Sequence, residues 1–80
     1  MIRNERKRQT LKYFAGRGWT RPTVYAVAVK FYPPRSAATY LLRLHRWHLL
    51  RRGRDVTGRV VYRLAKHGAN WLLRDRGRRV

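Results

Sequence analysis

Twenty-one lysines and arginines share this 80-residue chain with only three acids, a formal net charge of +18. Self-repulsion at that charge works against any compact state unless a polyanion neutralises it, so the imbalance itself points to a polyanionic partner. Arginine supplies 17 of the 21 cations. Its planar fork suits phosphate oxygens and guanine edges better than the point charge of lysine. An arginine-rich codon bias would account for arginine over lysine, but not for the scarcity of acids.

Against the charge stand 44% hydrophobic residues and three tryptophans, so the chain is expected to pack a core and not to remain a basic tail. Eighty residues allow one domain and no second lobe to enclose a substrate. That domain is expected to span residues 1–80, with its core at about 4–73 and a basic tail at 74–80. The absence of cysteine removes disulfides and thiolate zinc sites. No apolar run approaches the ~20 residues of a membrane span, and no signal-peptide core follows the basic N-terminus. The expectation is a protein without membrane contact, cytoplasmic and, in a prokaryote, nucleoid-associated.

Hydrophobic spacing divides the chain further. Asn4 to Ala15 reads as a helix capped by Asn4, with Glu5 in its first turn, an apolar edge of Leu11, Phe14 and Ala15, and Gly16 and Gly18 ending it. A second helix is expected from about Arg21 to Tyr32, with Thr20 as N-cap and Val24, Val27, Ala28 and Phe31 facing the core. Pro33-Pro34 stops it. A third runs from Arg35 or Ser36 to about Trp47, with Ala37, Leu41 and Leu44 along its inner face. Two helices joined by a turn of about four residues, the second short and basic, give the outline of a helix-turn-helix.

The period then changes. Leu49–Arg54 and Arg59–Leu64 flank Asp55-Val56-Thr57-Gly58, a composition suited to a hairpin loop. Val60, Tyr62 and Leu64 fall on one face of the second strand, and Arg59, Val61 and Arg63 on the other. A short last helix, Lys66 to Leu73, carries Trp71 and Leu72 and dissolves into the charged segment Arg74–Val80. Trp19, Trp47 and Trp71 read as core residues or helix-junction plugs, and Tyr32 and Tyr40 as the exposed aromatic residues.

Nothing signals catalysis. His45 and His48 are three apart on a helix but have no evident third metal ligand. Glu5, Asp55 and Asp75 are too far apart in sequence to suggest a carboxylate pair, and Ser36 lacks signs of a buried acid or an oxyanion hole. No enzymatic activity, metal or cofactor is expected.

The order helix, helix, turn, helix, basic hairpin, helix resembles the winged helix-turn-helix family of DNA-binding domains. Gly58-Arg59-Val60-Val61-Tyr62-Arg63-Leu64-Ala65-Lys66-His67-Gly68, followed by Leu72, is similar to that family's second wing strand and the turn into its final helix, commonly Tyr-x-Leu-Thr-x-x-Gly-x-x-x-Leu. Leu41-x-x-Leu44 followed by Leu49-Leu50 is similar to the end of the recognition helix and the first wing strand. The resemblance covers roughly Leu11 to Leu73, with His48 where the family usually has Gly and Ala65 in place of the usual Thr cap.

It implies a mainly α fold: a three-helix core, a two-stranded wing and a short C-terminal helix. It also implies sequence-specific binding of double-stranded DNA by a small transcriptional regulator, with the third helix in the major groove. The recognition residues would be Arg35, Ser36, Ala38, Thr39, Tyr40 and Arg43. The wing would contribute Arg51, Arg52, Arg54, Thr57, Gly58, Arg59 and Arg63, with the Thr57 hydroxyl and Gly58 amide suited to phosphate. Arg3, Arg6, Lys7, Arg8 and Arg21 would contact phosphates. A structural RNA-binding protein of the small ribosomal type meets the same length, arginine content and pI near 12, so RNA is the alternative partner. Small residues opening the third helix favour DNA, because side chains cannot read the deep, narrow major groove of A-form RNA. A protein partner within a nucleoprotein complex, and a homodimer through Trp71 and Leu73, are the remaining expectations.

Overall fold

A computed structural model describes the backbone of residues 2–78 and the side chains of residues 5–75. Helices α1 (Ile2–Ala15), α2 (Pro22–Val29) and α3 (Pro34–Arg46) precede strands β1 (Leu50–Arg54) and β2 (Val60–Leu64), and α4 (Lys66–Arg78) follows. The chain is mainly helical with one two-stranded antiparallel hairpin. One hydrophobic cluster draws on every element: Leu11 and Phe14 of α1, Tyr25 and Ala26 of α2, Ala37, Leu41 and Leu44 of α3, Leu50 and Tyr62 of the strands, and, partly buried, Trp71 and Leu72 of α4.

The inner face of α3 is as its spacing predicts, but that of α2 is not. Val24 and Val27 are 51% and 64% exposed and Ala28 is exposed, while Tyr25 and Ala26 are fully buried. Apart from its two polar residues α2 is apolar all round, so periodicity cannot choose its buried side. Tyr25 chooses it. Its ring lies 5.5 Å from those of Phe14 and Tyr13, and its hydroxyl shares a 2.6 Å hydrogen bond with the buried Thr10 hydroxyl. Burial pushes the Tyr25 phenol above its ordinary pKa, the bond to Thr10 only partly opposing this.

Element ends follow their own chemistry. Helix α1 begins at Ile2, so Asn4 lies inside it and is not its cap. Thr20 is not the cap of α2 either: its N–H and C=O both bond Tyr62, at 2.9 Å each, as a one-residue third strand beside β2. Arg21 takes the N-cap position without a side-chain bond to the helix it opens. Helix α2 ends at Val29, three residues before the expected end, because Lys30 turns left-handed (φ 57°) and the Phe31 N–H closes back onto the Ala26 carbonyl at 2.9 Å. Pro34 opens α3 at its first position, where its missing N–H costs nothing. His48 (φ 65°) ends α3 by the same left-handed closure, with the Leu49 N–H on the Leu44 carbonyl at 3.0 Å. Helix α4 continues past Leu73 to Arg78, since Asp75 meets Arg8 of α1 at 3.4 Å and ties its second half to the body.

The hairpin registers Leu50 with Leu64, Arg51 with Arg63, Arg52 with Tyr62, Gly53 with Val61 and Arg54 with Val60. Val61, expected on the solvent face, is buried because Trp19 lies over that face. A Cβ on Gly53, directly opposite Val61, would stand 3.1 Å from the Trp19 ring.

At the start of α4 a Cβ on Gly68 would stand 2.2 Å from the Leu49 carbonyl oxygen, whereas one on Gly16 would meet nothing within 4 Å. The close approach lets Leu49 accept the Ala65 N–H at 3.1 Å. Gly68→Ala is therefore expected to cost about 1–3 kcal/mol, the range of core overpacking. Gly16→Ala should be neutral or stabilise by up to about 1 kcal/mol through the unfolded chain. Urea titrations of the two variants would check the contrast.

Candidate nucleic-acid interface

The outer face of α3 follows from its inner one. With Ala37, Leu41 and Leu44 buried, Arg35, Ser36, Thr39, Arg43, Arg46 and the following Trp47 are exposed. Arg35, Thr39 and Arg46 stand at i, i+4 and i+11, which places them on one ridge, with Arg43 beside it. Three of these four residues are cations, and α3 contains no acid. The Thr39 hydroxyl donates to the Arg35 carbonyl at 3.1 Å, which leaves it an acceptor toward any ligand.

Two residues of the expected outward set depart from it. Tyr40 is half-buried, its ring 5.7 Å from that of Phe31, and desolvation raises its phenol pKa. Ala38 is also half-buried. Arg46 and Trp47 were not among the expected residues, although the i+11 spacing from Arg35 would have found Arg46. Trp47, 54% exposed, and Trp19, 47% exposed, are not the core plugs their spacing suggests. Trp47 caps a helix whose last turn is already filled by Leu44, and Trp19 lies on the hairpin from outside.

The hairpin arginines Arg51, Arg52, Arg54, Arg59 and Arg63 are all exposed. Arg51 and Arg63 stand directly opposite each other, a like-charge pair that destabilises the strands in the absence of an anion. The Arg63 guanidinium also lies 5.6 Å from the centre of the Trp19 ring.

The hairpin tip departs from expectation. One Asp55 carboxylate oxygen accepts the Thr57 hydroxyl at 2.6 Å, the Thr57 N–H at 2.9 Å and the Arg59 N–H at 3.0 Å. The other accepts Arg21 at 2.9 and 3.0 Å. The Gly58 N–H donates to the Asp55 carbonyl at 2.9 Å, and Arg54 to the Gly58 carbonyl at 2.7 Å. The Thr57 and Gly58 donors expected to bind phosphate are thus spent within the turn, where Gly58 (φ 83°) supplies the left-handed position. The Thr57 hydroxyl bond, with the two amides and Arg21, holds the Asp55 carboxyl well below the usual carboxylate range.

The N-terminal phosphate set is largely occupied as well. Arg8 is paired with Glu5 and Asp75. Lys7 lies 4.8 Å from the Trp71 ring centre and 5.4 Å from that of Trp47, half-buried between them. Arg6 is exposed but rests 4.3 Å over Phe31, and Arg21 is paired with Asp55 of the hairpin tip. The side chain of Arg3 lies outside the described residues, as do those of Arg76, Arg78 and Arg79. Leu73 is exposed, whereas Trp71 is half-buried.

Among the described residues no three His, Cys, Asp or Glu come together as a group able to hold a metal, and no helix is long and apolar enough to cross a membrane. Comparison with family models, curated proteins and solved structures returned no match.

A depressed carboxylate pKa adds stability that is present above the unfolded value of about 3.9 and is lost as pH falls through the lower folded value. Asp55→Asn should therefore melt below the parent at pH 7, and the difference should shrink progressively below about pH 4. Thermal melts across that range would check it; a gap independent of pH would mean that the carboxylate charge does not hold the tip.

Proposed function

We propose that this chain is a winged helix-turn-helix domain that binds double-stranded DNA sequence-specifically, as a small transcriptional regulator does, with α3 in the major groove and the hairpin beside it. The observation that carries this is the acid-free outer face of α3, with exposed Arg35, Thr39, Arg43 and Arg46, set after a four-residue turn and followed by a hairpin with five exposed arginines. A 13-residue helix is about 20 Å long and fits a groove about 12 Å wide. Exposed Arg43 can pair with guanine O6 and N7, and Arg35 and Arg46 can pair with guanine or phosphate. The opposed Arg51 and Arg63 suit the backbone or a narrow minor groove, where negative potential concentrates.

RNA binding is the second reading, and the exposed rings of Trp19 and Trp47 favour it, since tryptophan beside arginine stacks on unpaired bases. Competition among duplex DNA, duplex RNA and single strands separates the two. Preference for duplex DNA is the expected result, and preference for RNA or single strands would reject the proposal.

With about 6–10 phosphates neutralised, affinity should fall roughly 10³–10⁵-fold between about 50 and 200 mM salt, read by fluorescence anisotropy. Arg43→Ala should relax preference at one base position, a loss of about 1–3 kcal/mol of discrimination, in a selection from random duplexes. Arg51→Ala should instead weaken all duplexes alike and reduce the salt slope by about one. Identical preferred sites for parent and Arg43→Ala would move that residue to the backbone-contact class.

A further inference from the structure

All three histidines of the chain line one open pocket at the junction of α3, β1 and α4. His45 comes from the last turn of α3, His48 from the residues that close it, and His67 from the first turn of α4. Arg51, Arg52 and Lys66 complete the polar lining, and Leu50 and Ala65 the apolar part. Its volume is about 460 Å³, and no carboxylate lines it among the described residues. On the neighbouring strand β2, Arg63 stands in register with Arg51.

The histidines are held in place by the fold. The left-handed backbone of His48 (φ 65°) is part of the closure of α3, and its ring lies 6.3 Å from that of His67. His45 Nδ1 lies 3.0 Å from the Leu50 carbonyl, an acceptor only, so Nδ1 carries the proton. Its Nε2 is then a lone pair in the neutral ring and becomes a donor on protonation.

The opening turn of α4 adds to the same place. Its first N–H groups have no acceptor within the helix and form the positive end of its dipole. Ala65, immediately before the helix, has no side-chain oxygen to cap them. Lys66 and His67 are the first two residues of that turn. Arg52 and Lys66, three rings able to become cations and the first residues of α4 thus line one space with no acid among its described lining residues, while Arg51, the strand neighbour of Arg52, stands on the opposite face of β1 at its edge. The ligand of complementary chemistry is a tetrahedral oxyanion.

We propose that this pocket binds a phosphate group, through Arg52, Lys66 and the opening turn of α4, and binds it more tightly as its histidines protonate. The linkage is reciprocal: a bound anion favours imidazolium, so histidine pKa values rise on binding and affinity rises as pH falls. A rise of about one unit in a single histidine corresponds to about tenfold in affinity between the two protonation states.

The test uses the full chain and sulfate as the probe, because sulfate keeps one charge across the window of about pH 5 to 8 in which histidine titrates. Histidine ring signals are followed by NMR while sulfate replaces chloride at constant ionic strength. The expected result is a saturable shift of the His48 and His67 rings at about pH 5.5, with affinity at least about tenfold weaker at pH 8. Histidine titrations that superimpose in sulfate and chloride, or a shift that never saturates, would overturn the proposal.

Two sets of variants bring in the residues. Arg52→Gln with Lys66→Gln should abolish the saturable shift while the melting transition persists. His48→Asn, which keeps a residue tolerant of the left-handed backbone, with His67→Gln should flatten the pH dependence and leave the weak binding at pH 8. A pH dependence unchanged by that pair would reject the histidines' role.

Sulfate has neither base nor sugar, so these outcomes do not depend on whether the chain binds DNA. A duplex with and without a terminal phosphate then identifies the source. A response of His48 and His67 to both duplexes assigns the pocket to the phosphodiester backbone, and a response only to the phosphorylated end assigns it to a phosphate monoester.

Discussion

The helical body depends on one buried ring. Tyr25 is fully enclosed, meets the rings of Tyr13 and Phe14 from α1 and of Phe31 from the turn into α3, and satisfies its hydroxyl on Thr10. These contacts come from α1 and from the turn before α3, so the ring sets the rotation of α2 and, through Phe31 and Tyr40, the seat of α3. The outer face of α3 is a consequence of that seat. A hydrogen bond buried at this depth is costly to leave half-made, which is why the tyrosine side of α2 faces inward and its valines stay in water.

A chain with three acids cannot hold its cations in ion pairs, and this structure uses aromatic faces in their place. Arg6 lies over Phe31, Lys7 between Trp47 and Trp71, Arg17 over Tyr13 and Arg63 beside Trp19. Each such contact stabilises by about 0.5–1 kcal/mol at an exposed site and more where water is excluded. Two of the three acids serve junctions. Asp75 joins α4 to α1 through Arg8, and Asp55 joins the hairpin tip to the start of α2 through Arg21. Cations that look alike in composition therefore divide into those that hold the fold and those left facing solvent on α3 and the strands.

That division bears on where an anion can be met. The hairpin tip, its donors consumed by Asp55, is a rigid spacer, and the strands behind it carry the exposed arginines. Arg51 connects the two basic regions: it opposes Arg63 on the hairpin and lines the histidine pocket beside α4.

Local chemistry in the sequence already determined the order of the elements, the break before α3, the inner face of α3 and the place of the hairpin turn, though not its register, which pairs Arg54 with Val60 and leaves Arg59 in the loop. Pro33-Pro34, the spacing of Ala37, Leu41 and Leu44, and the turn Asp55 to Gly58 each act within a few residues. The excess of positive charge was equally legible, because it needs no coordinates. Only the tertiary structure decided which side of α2 is buried, since an apolar helix without an amphipathic stripe takes its orientation from what packs against it. It decided that Arg8, Lys7 and Arg21 serve the fold, because their partners Asp75, Trp71 and Asp55 lie 34 or more positions away. It also brought His45, His48 and His67 to one pocket, where the left-handed end of α3 and the close approach of Gly68 to Leu49 place two helix ends together. Contacts between distant segments have no periodicity to read, so they become visible only when the chain is folded.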